Sequence, residues 1–481
     1  MHKNFVKYCL AILFLALLNA CSTNSFSDLF NNYNQQMQGV KQAQQQGDFK
    51  AAIKLIPTRS HNNASYGLSL LEKARLEYLS NNHAQSQKDF AQVYSLIEQA
   101  QQAAKIELSR GIENVAAVMS NDNASRYDIP LYEQSMLNSY QALNYLAQQD
   151  LSGALVEIRR ANLVQQQALT ENAKILYRSE EELAKQGLSS NGVANQYPSM
   201  NEAIGQVKNG FQNAYTFYLS ALLYEAAGQS NDAYIDYKKA LEIYPNNHYL
   251  QQDVWRLANI LHMTDDINQF KNSLGQDVTQ VSSDHAMAKA QNQGQVVIIV
   301  ENGIVAPKQE LSLNLPIYTS HNDMRFYSIA VPSYQNYLPA YSPLALSYQG
   351  KRYQSEEIVR LQSLAAKQLK DQLASIVTKQ VIRLVAKEKI RQQVARKGGD
   401  IGNILASIYN MATEKADTRS WSTLPDSIHI LKLNLDAGKH QLALNINGVN
   451  QTLNVTINAN KTTLVRLTAI GSYVDHQSLN L

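Results

Sequence analysis

The chain has 481 residues, a length that fits two or three domains. Its formal charge of +3 gives no electrostatic case for nucleic acid as a partner. Only 17% of residues are charged, and Gln and Asn supply much of the polar surface, so the body reads as soluble and globular.

The chain opens on Met1–Lys7, with Lys3 and Lys7 and no acid, followed by the nearly all-apolar run Tyr8–Leu18. A bilayer-spanning helix needs about 20 apolar residues, so this run is a secretory leader rather than a span. Leu18-Asn19-Ala20-Cys21 then resembles a bacterial lipobox, with Leu at −3, a small residue at −1 and Cys at +1. That resemblance implies diacylglycerol on the Cys21 sulfur, removal of residues 1–20 and acylation of the new amino group. Ser22 in place of Asp at +2 implies sorting to the outer membrane. Asn19 departs from the usual small residue, and the alternative is an ordinary secretory signal with a cysteine beside it. Cys9 leaves with the leader and Cys21 is acylated, so the mature chain has no thiol for a disulfide, a nucleophile or a metal site. Residues 21–27 are then a lipidated tether, reaching about 20 Å at roughly 3.3–3.6 Å per residue.

Residues 28–275 are rich in Ala, Leu, Gln, Glu and Lys and poor in Pro, which predicts helices. The stretch 214–247, AYTFYLSALLYEAAGQSNDAYIDYKKALEIYPNN, resembles one 34-residue tetratricopeptide repeat. Phe217, Ala221 and Tyr224 take the packing positions of its first helix, and Gly228 its turn. Ala233, Tyr237 and Ala240 line the second helix and Pro245 closes the unit. Ser220 stands where Leu is usual. A lone repeat leaves its face uncovered, so neighbours are expected. Weaker matches run through Gly47, Ala52 and Ile56, through Ala74, Phe90 and Val93, and through Ala142, Tyr145, Ala154, Ile158 and Ala161. Together they predict an α-solenoid over 28–275, with long loops at 111–130 and 185–203.

Composition changes near Gly294. Val296–Val300 predicts a buried strand, Asn302-Gly303 a turn, and Leu311, Leu313 and Leu315 an alternating strand. MRFYSIAVPSY and PLALSYQGKRYQ supply further strands. From Ser355 a helix of about 40 residues is predicted from Ile358, Leu361, Ala365, Leu369, Leu373, Ile376 and Leu384. It ends at Gly398-Gly399, with a second helix over Ile401–Met411. Four strands, Ile428–Leu435, His440–Ile446, Gln451–Ile457 and Thr462–Ala469, then read as a β-meander. The 296–347 strands complete a small sandwich with it. The expected fold class is therefore α+β: a tetratricopeptide-like α-solenoid, then a β-rich, sandwich-like domain over 294–481 with a helical hairpin inserted at 355–415.

Read in order, the lipobox, ALVEIRRAN (154–162), VVIIVENGIVAPK (296–308) and ADTRSWSTLP followed by LDAGKHQLAL resemble an uncharacterised family of proteobacterial outer-membrane lipoproteins with tetratricopeptide-like repeats. The matching stretches span nearly the whole chain, and ADTRSW is the most specific. The family tends to be encoded near small lipoproteins similar to activators of penicillin-binding proteins. That implies a link to peptidoglycan assembly. It has no assigned catalytic residues, so none carry over.

No H-E-x-x-H, close His/carboxylate cluster, P-loop or G-x-S-x-G occurs, and KGGDIGN at 397–403 lacks the phosphate-binding frame. No enzyme activity, metal, cofactor or small-molecule substrate is expected. Two constellations are candidates for interaction. Arg159 and Arg160 sit on a second helix, either in an ion pair such as with Glu157 or gripping a partner carboxylate in a groove. Asp417, Arg419 and Trp421 alternate, as on one strand face, either as a structural knot pinning the sheet or as an exposed platform for sugar or protein. The expected function is a lipid-anchored scaffold at the outer membrane, facing the periplasm. It binds envelope proteins or peptides through the repeat groove. Alternatives are a subunit of an export complex and a glycan-acting enzyme.

Overall fold

A computed structural model describes residues 32–110, 125–185, 197–274, 278, 292–318, 324–384 and 415–481. The leader, Cys21, the tether and the predicted helix 401–411 lie outside the described residues.

The helical half consists of paired helices. The pairs are α1 (Tyr33–Gln45) with α2 (Phe49–Leu55), and α3 (Tyr66–Leu79) with α4 (His83–Arg110). Next come α5 (Leu131–Ala147) with α6 (Leu151–Lys185), a short α7 (Asn201–Ile204), and α8 (Ala214–Ala226) with α9 (Ser230–Ile243). A last pair, α10 (His248–Ile260) and α11 (Thr264–Ser273), was not singled out in the sequence. Each pair turns through one left-handed residue: Gly47, Asn81, Gln149, Gly228 and His262. The amide of the following residue returns to the first helix, as in Asp48 N–H to Ala43 O and Gln229 N–H to Tyr224 O. Residues 47 and 81, and residues 228 and 262, are each 34 positions apart, the tetratricopeptide period. Side-chain caps start several helices, Asn213 on Thr216 N–H and Asn247 on Leu250 N–H among them.

Small residues let the helices cross closely. Ala52, Ala74, Ala142, Ala154, Ala161, Ala221, Ala233 and Ala240 are all fully buried. The first helices of the pairs are covered nearly all round: 14 of 17 residues in α5 and 11 of 13 in α8 are buried, against 6 of 14 in α9. They form an inner row, with the second helices on the outside and the β-rich half on the other side.

That half contains β1 (Gln293–Asn302), β2 (Gln309–Tyr318), β3 (Met324–Ser333), β4 (Ala345–Tyr348), β5 (Lys351–Gln354) and β6 (Glu356–Arg360). A helix over 361–384 (α12) follows, then β7 (Ser427–Asp436), β8 (Gly438–Ile446), β9 (Val449–Ile457), β10 (Thr462–Ile470) and β11 (Tyr473–Asn480). The predicted strands are present, but the meander is not one sheet. The orders are β11-β10-β1-β7-β6, β5-β4-β8-β9 and a separate β2-β3 hairpin. β1 pairs with β10 in parallel and with β7 antiparallel. The five-stranded sheet packs one face on the inner helices, through Ile299, Glu301 and Arg466. Its other face packs on the four-stranded sheet, whose Leu442, Leu444, Leu453 and Val455 alternate with exposed residues. A strand covered on both faces reads as a continuous apolar run, which is why β1 and β10 do not alternate.

Residues 356–360, predicted as the start of a helix, are strand β6 instead. They pair with β7, so their backbone is used by the sheet, and helix α12 begins only at residue 361. One continuous apolar core runs through the helical and β-rich halves alike.

Candidate binding cleft between the helical and β-rich layers

The stretch 416–425, ADTRSWSTLP, belongs to no sheet and has no regular structure, turning at 422–423 and bending at 424. It lies along the inner helices, and their side chains take its backbone groups. Glu72 of α3 accepts from Ser422 N–H (2.7 Å), the Ser422 hydroxyl (2.8 Å), Thr423 N–H (2.9 Å) and the Tyr33 hydroxyl (2.8 Å). Glu133 of α5 accepts from Trp421 N–H at 2.9 Å and from the hydroxyls of Tyr127 and Tyr132. Gln44 of α1 donates to Thr423 O at 3.0 Å. The helical layer thus already holds one irregular segment of the chain, its own.

The two aromatic and ionic candidates in this stretch are buried. Trp421 is 0% exposed and packs between Phe90 and Tyr140, with ring centroids 5.7 and 6.0 Å away. Arg419 is clamped to Asp417 (2.7 and 2.9 Å) and reaches Ser125 O at 3.1 Å. Neither offers the exposed platform considered from sequence. The stretch is not a strand face either, because its amides turn to carboxylates rather than to a neighbouring strand. Burial raises the Asp417 carboxyl, but the Arg419 charge outweighs it, leaving Asp417 below the usual carboxylate range. Burial pushes Glu133 up to about 7, against the Trp421 amide and Lys308. Sequence reasoning missed Glu72, Glu133 and the fully buried Arg75–Glu301 pair (2.6 Å). Their one visible signal is a charged residue placed where helix periodicity requires the core.

Arg159 and Arg160 lie on α6. Arg160 pairs with Glu157 at 2.7 Å and lies over the Tyr94 ring at 4.3 Å. Arg159 lies over Tyr224 at 5.8 Å, with Gln229 3.5 Å away. Both are on the outer row of helices. Of the repeat-packing residues, Ala221, Ala233, Tyr237 and Ala240 are 0% exposed, and Phe217 and Tyr224 are buried. Ser220, the departure from the repeat pattern, is explained by its neighbours. Its hydroxyl donates to Asp236 at 2.6 Å and accepts from the Asn162 amide at 3.0 Å. A leucine there would take one hydrogen bond from each, leaving Asp236 to Asn162 and Lys239 alone.

This polar cluster borders a cleft of about 800 Å³ where the inner face of the helices is not covered by the sheet. Its walls are α6 (Asn162, Gln165, Leu169), the connector 204–212, Phe217, the end of α9, and the β6–α12 corner (Glu357, Arg360, Leu364). The connector is held close to α12: a Cβ on Gly210 would meet the Gln368 backbone at 2.5 Å. Of the cations that line it, Lys208, Lys239 and Arg360, the last two are in ion pairs. Arg360 binds Glu357 (3.0 Å) and Asp426 (3.2 Å), and Lys239 binds Asp236 (3.0 Å) while lying over the Phe217 ring. Arg360 is driven above its ordinary value, because burial, which lowers it, is outweighed by Glu357 and Asp426. Among the described residues, no group of three or more His, Cys, Asp or Glu is placed to hold a metal ion, and no helix is long and apolar enough to cross a membrane.

No family model matches the chain, and no curated protein matches it. A solved structure described as the TPR2AB-domain:pHSP90-complex of yeast Sti1 is similar over 53% of this chain and 93% of that one. Identity is 11% and the TM-score is 0.19, too low to carry an argument about arrangement or ligand. The tetratricopeptide-like character rests on the paired helices and their 34-residue turn spacing.

Proposed function

We propose that the chain is a lipid-anchored adaptor of the outer membrane, facing the periplasm, that holds a partner protein of the cell envelope in the cleft beside α6. The observation that carries this reading is the cleft itself. The β-rich half and the stretch 416–425 cover the inner face of the repeats over α3 and α5, and the cleft opens beyond that cover. Anchoring is supported by the lipobox-like sequence ending at Cys21, and the envelope role by the sequence resemblance alone.

The test places a photo-crosslinking residue at Leu169, which is 53% exposed on the cleft rim, in cells carrying the full chain. The expected result is a small set of envelope proteins captured at that position, with outer-membrane fractionation and capture both reduced in Cys21→Ala. Equal capture and equal fractionation in Cys21→Ala would sink the anchor. Recovery of the chain as a stable ring-shaped oligomer would move the reading to an export complex.

A further inference from the structure

A second pocket, of about 360 Å³, lies between α3, α4 and the residues that lead into α5, and shares no lining residue with the cleft. Its polar side is built by 125–128. Tyr127 N–H donates to Ala64 O at 2.8 Å, and Arg419 donates to Ser125 O at 3.1 Å, so this segment is tied down. Tyr127 turns inward, buried, with its hydroxyl on Glu133. Arg126 and Asp128, on either side of it, are exposed, and both line the pocket. Neither makes a hydrogen bond or an ion pair among the described residues. Two opposite charges thus share one small pocket without meeting, which leaves room for a third group between them. Burial raises the Asp128 carboxyl more than the Lys379 charge lowers it, and Lys379 does not line the pocket.

The rest of the lining is apolar and aromatic. Ile97 and Ala100 of α4 keep accessible surface beside the buried Leu96 and Ile129. His61 and Tyr66 form another wall, with ring centroids 5.1 Å apart, and the Tyr66 hydroxyl accepts from Gln92 Nε2 at 2.8 Å. Gly67 keeps this side open, since a Cβ there would lie 3.6 Å from Leu96 Cδ1 and 4.0 Å from Ile129 Cδ1.

These features select a ligand class. An anion alone would face the Asp128 carboxylate, and a cation alone the Arg126 guanidinium. A neutral sugar or a hydrocarbon would leave both charges unanswered. A molecule with a carboxylate and an ammonium on one carbon, and an apolar side chain, answers every wall. A guanidinium takes a carboxylate bidentately, and pockets of this size hold single small molecules.

We propose that this pocket binds a free α-amino acid with an apolar side chain. Arg126 takes its carboxylate, Asp128 takes its ammonium, and the side chain lies against Ile97, Ala100 and the His61–Tyr66 wall. The site stands apart from the cleft and does not rest on the adaptor reading.

The test is calorimetric titration of the purified full chain with the L and D forms of leucine, methionine and phenylalanine. At least one should bind. The same side chain lacking its amine, or lacking its carboxylate, should bind at least about tenfold more weakly, the scale of one charge-assisted bond. For leucine these analogues are 4-methylpentanoate and 3-methylbutylamine. Arg126→Gln should weaken the amino acid about tenfold and no longer distinguish it from the amine. Asp128→Asn should do the same with respect to the carboxylate. Both side chains are exposed, so neither change removes a core contact, and the analogue series needs no variant at all. No binding of any of these amino acids at millimolar concentration overturns the proposal. So does an analogue that binds as tightly as its parent, which would reduce the site to one for anions or for cations, and so do variants with unchanged affinity. Crosslinking at Leu169 reads the cleft separately under every one of these outcomes.

Discussion

Glu72 has both carboxylate oxygens committed, to two backbone amides and two hydroxyls, at 0% exposure. Removing such a group leaves several buried donors unmatched, which costs more than the net worth of the bonds themselves. Glu72→Ala should lower stability by roughly 3 kcal/mol or more, read as a lower urea midpoint at an unchanged slope. Glu72→Gln should cost less, because its oxygen still accepts. Two other buried groups make stability depend on pH in opposite senses. His429 is drawn down to about 4 by burial and by the Arg360 charge. Its unfolded value is about 6.5, so the stability tied to neutral His429 is lost as pH falls from about 6.5 through about 4, by roughly 3 kcal/mol in full. Glu133 lies at about 7, raised by burial, so its contribution is complete below about 4.5 and is lost as pH rises through about 7. Denaturation at a series of pH values should show the acid slope flattened in His429→Asn, and the decline toward neutral flattened in Glu133→Gln.

The stretch 416–425 has no regular structure, and residues 421–423 bond to buried side chains of the helical layer. Trp421→Ala should cost about 3–5 kcal/mol, the range for emptying a buried aromatic site. The chain has two tryptophans, so the native emission should also lose its component from a fully buried indole. The same stretch shows what sequence can and cannot give. Alternation of Asp417, Arg419 and Trp421 suggests a strand face, but the stretch forms no strand, and its amides at 421–423 go to carboxylates instead. Small residues such as Ala142 and Ala154 marked the helix crossings, because close packing demands them. Strand positions in 428–469 were legible from periodicity and turns. Sheet membership was available only in a subtler form: β8 and β9 alternate, whereas β1 and β10 run apolar throughout, so the two sets belong to differently covered sheets. At β6, Ile358 and Leu361 fit a helical spacing, and pairing with β7 overrode it. The cleft was invisible because its walls come from segments distant in sequence.

At the scale of the molecule, the inner helices are packed on both sides, by outer helices and by sheet. Ordinary tetratricopeptide arrays gain stability repeat by repeat from neighbouring units. Here Arg75 and Tyr140 need Glu301, and Asp253 needs Lys432, so the helical half depends on strands from the other end of the chain. Residues 22–290 expressed alone should therefore be digested rapidly by trypsin under conditions where the full chain resists, with hydrogen exchange showing no protected core. A protected helical core in that fragment would contradict this dependence.

The contact between Glu72 and Ser422 joins positions 350 residues apart. A chain that leaves the ribosome or crosses a membrane N-terminus first presents Glu72, Arg75 and Glu133 long before their partners arrive. Until the last strands emerge, those charges face solvent and the inner helices have nothing to cover them. The helical half of such an emerging chain has not yet locked, and completion of the C-terminal strands is the event that commits the molecule to its folded form.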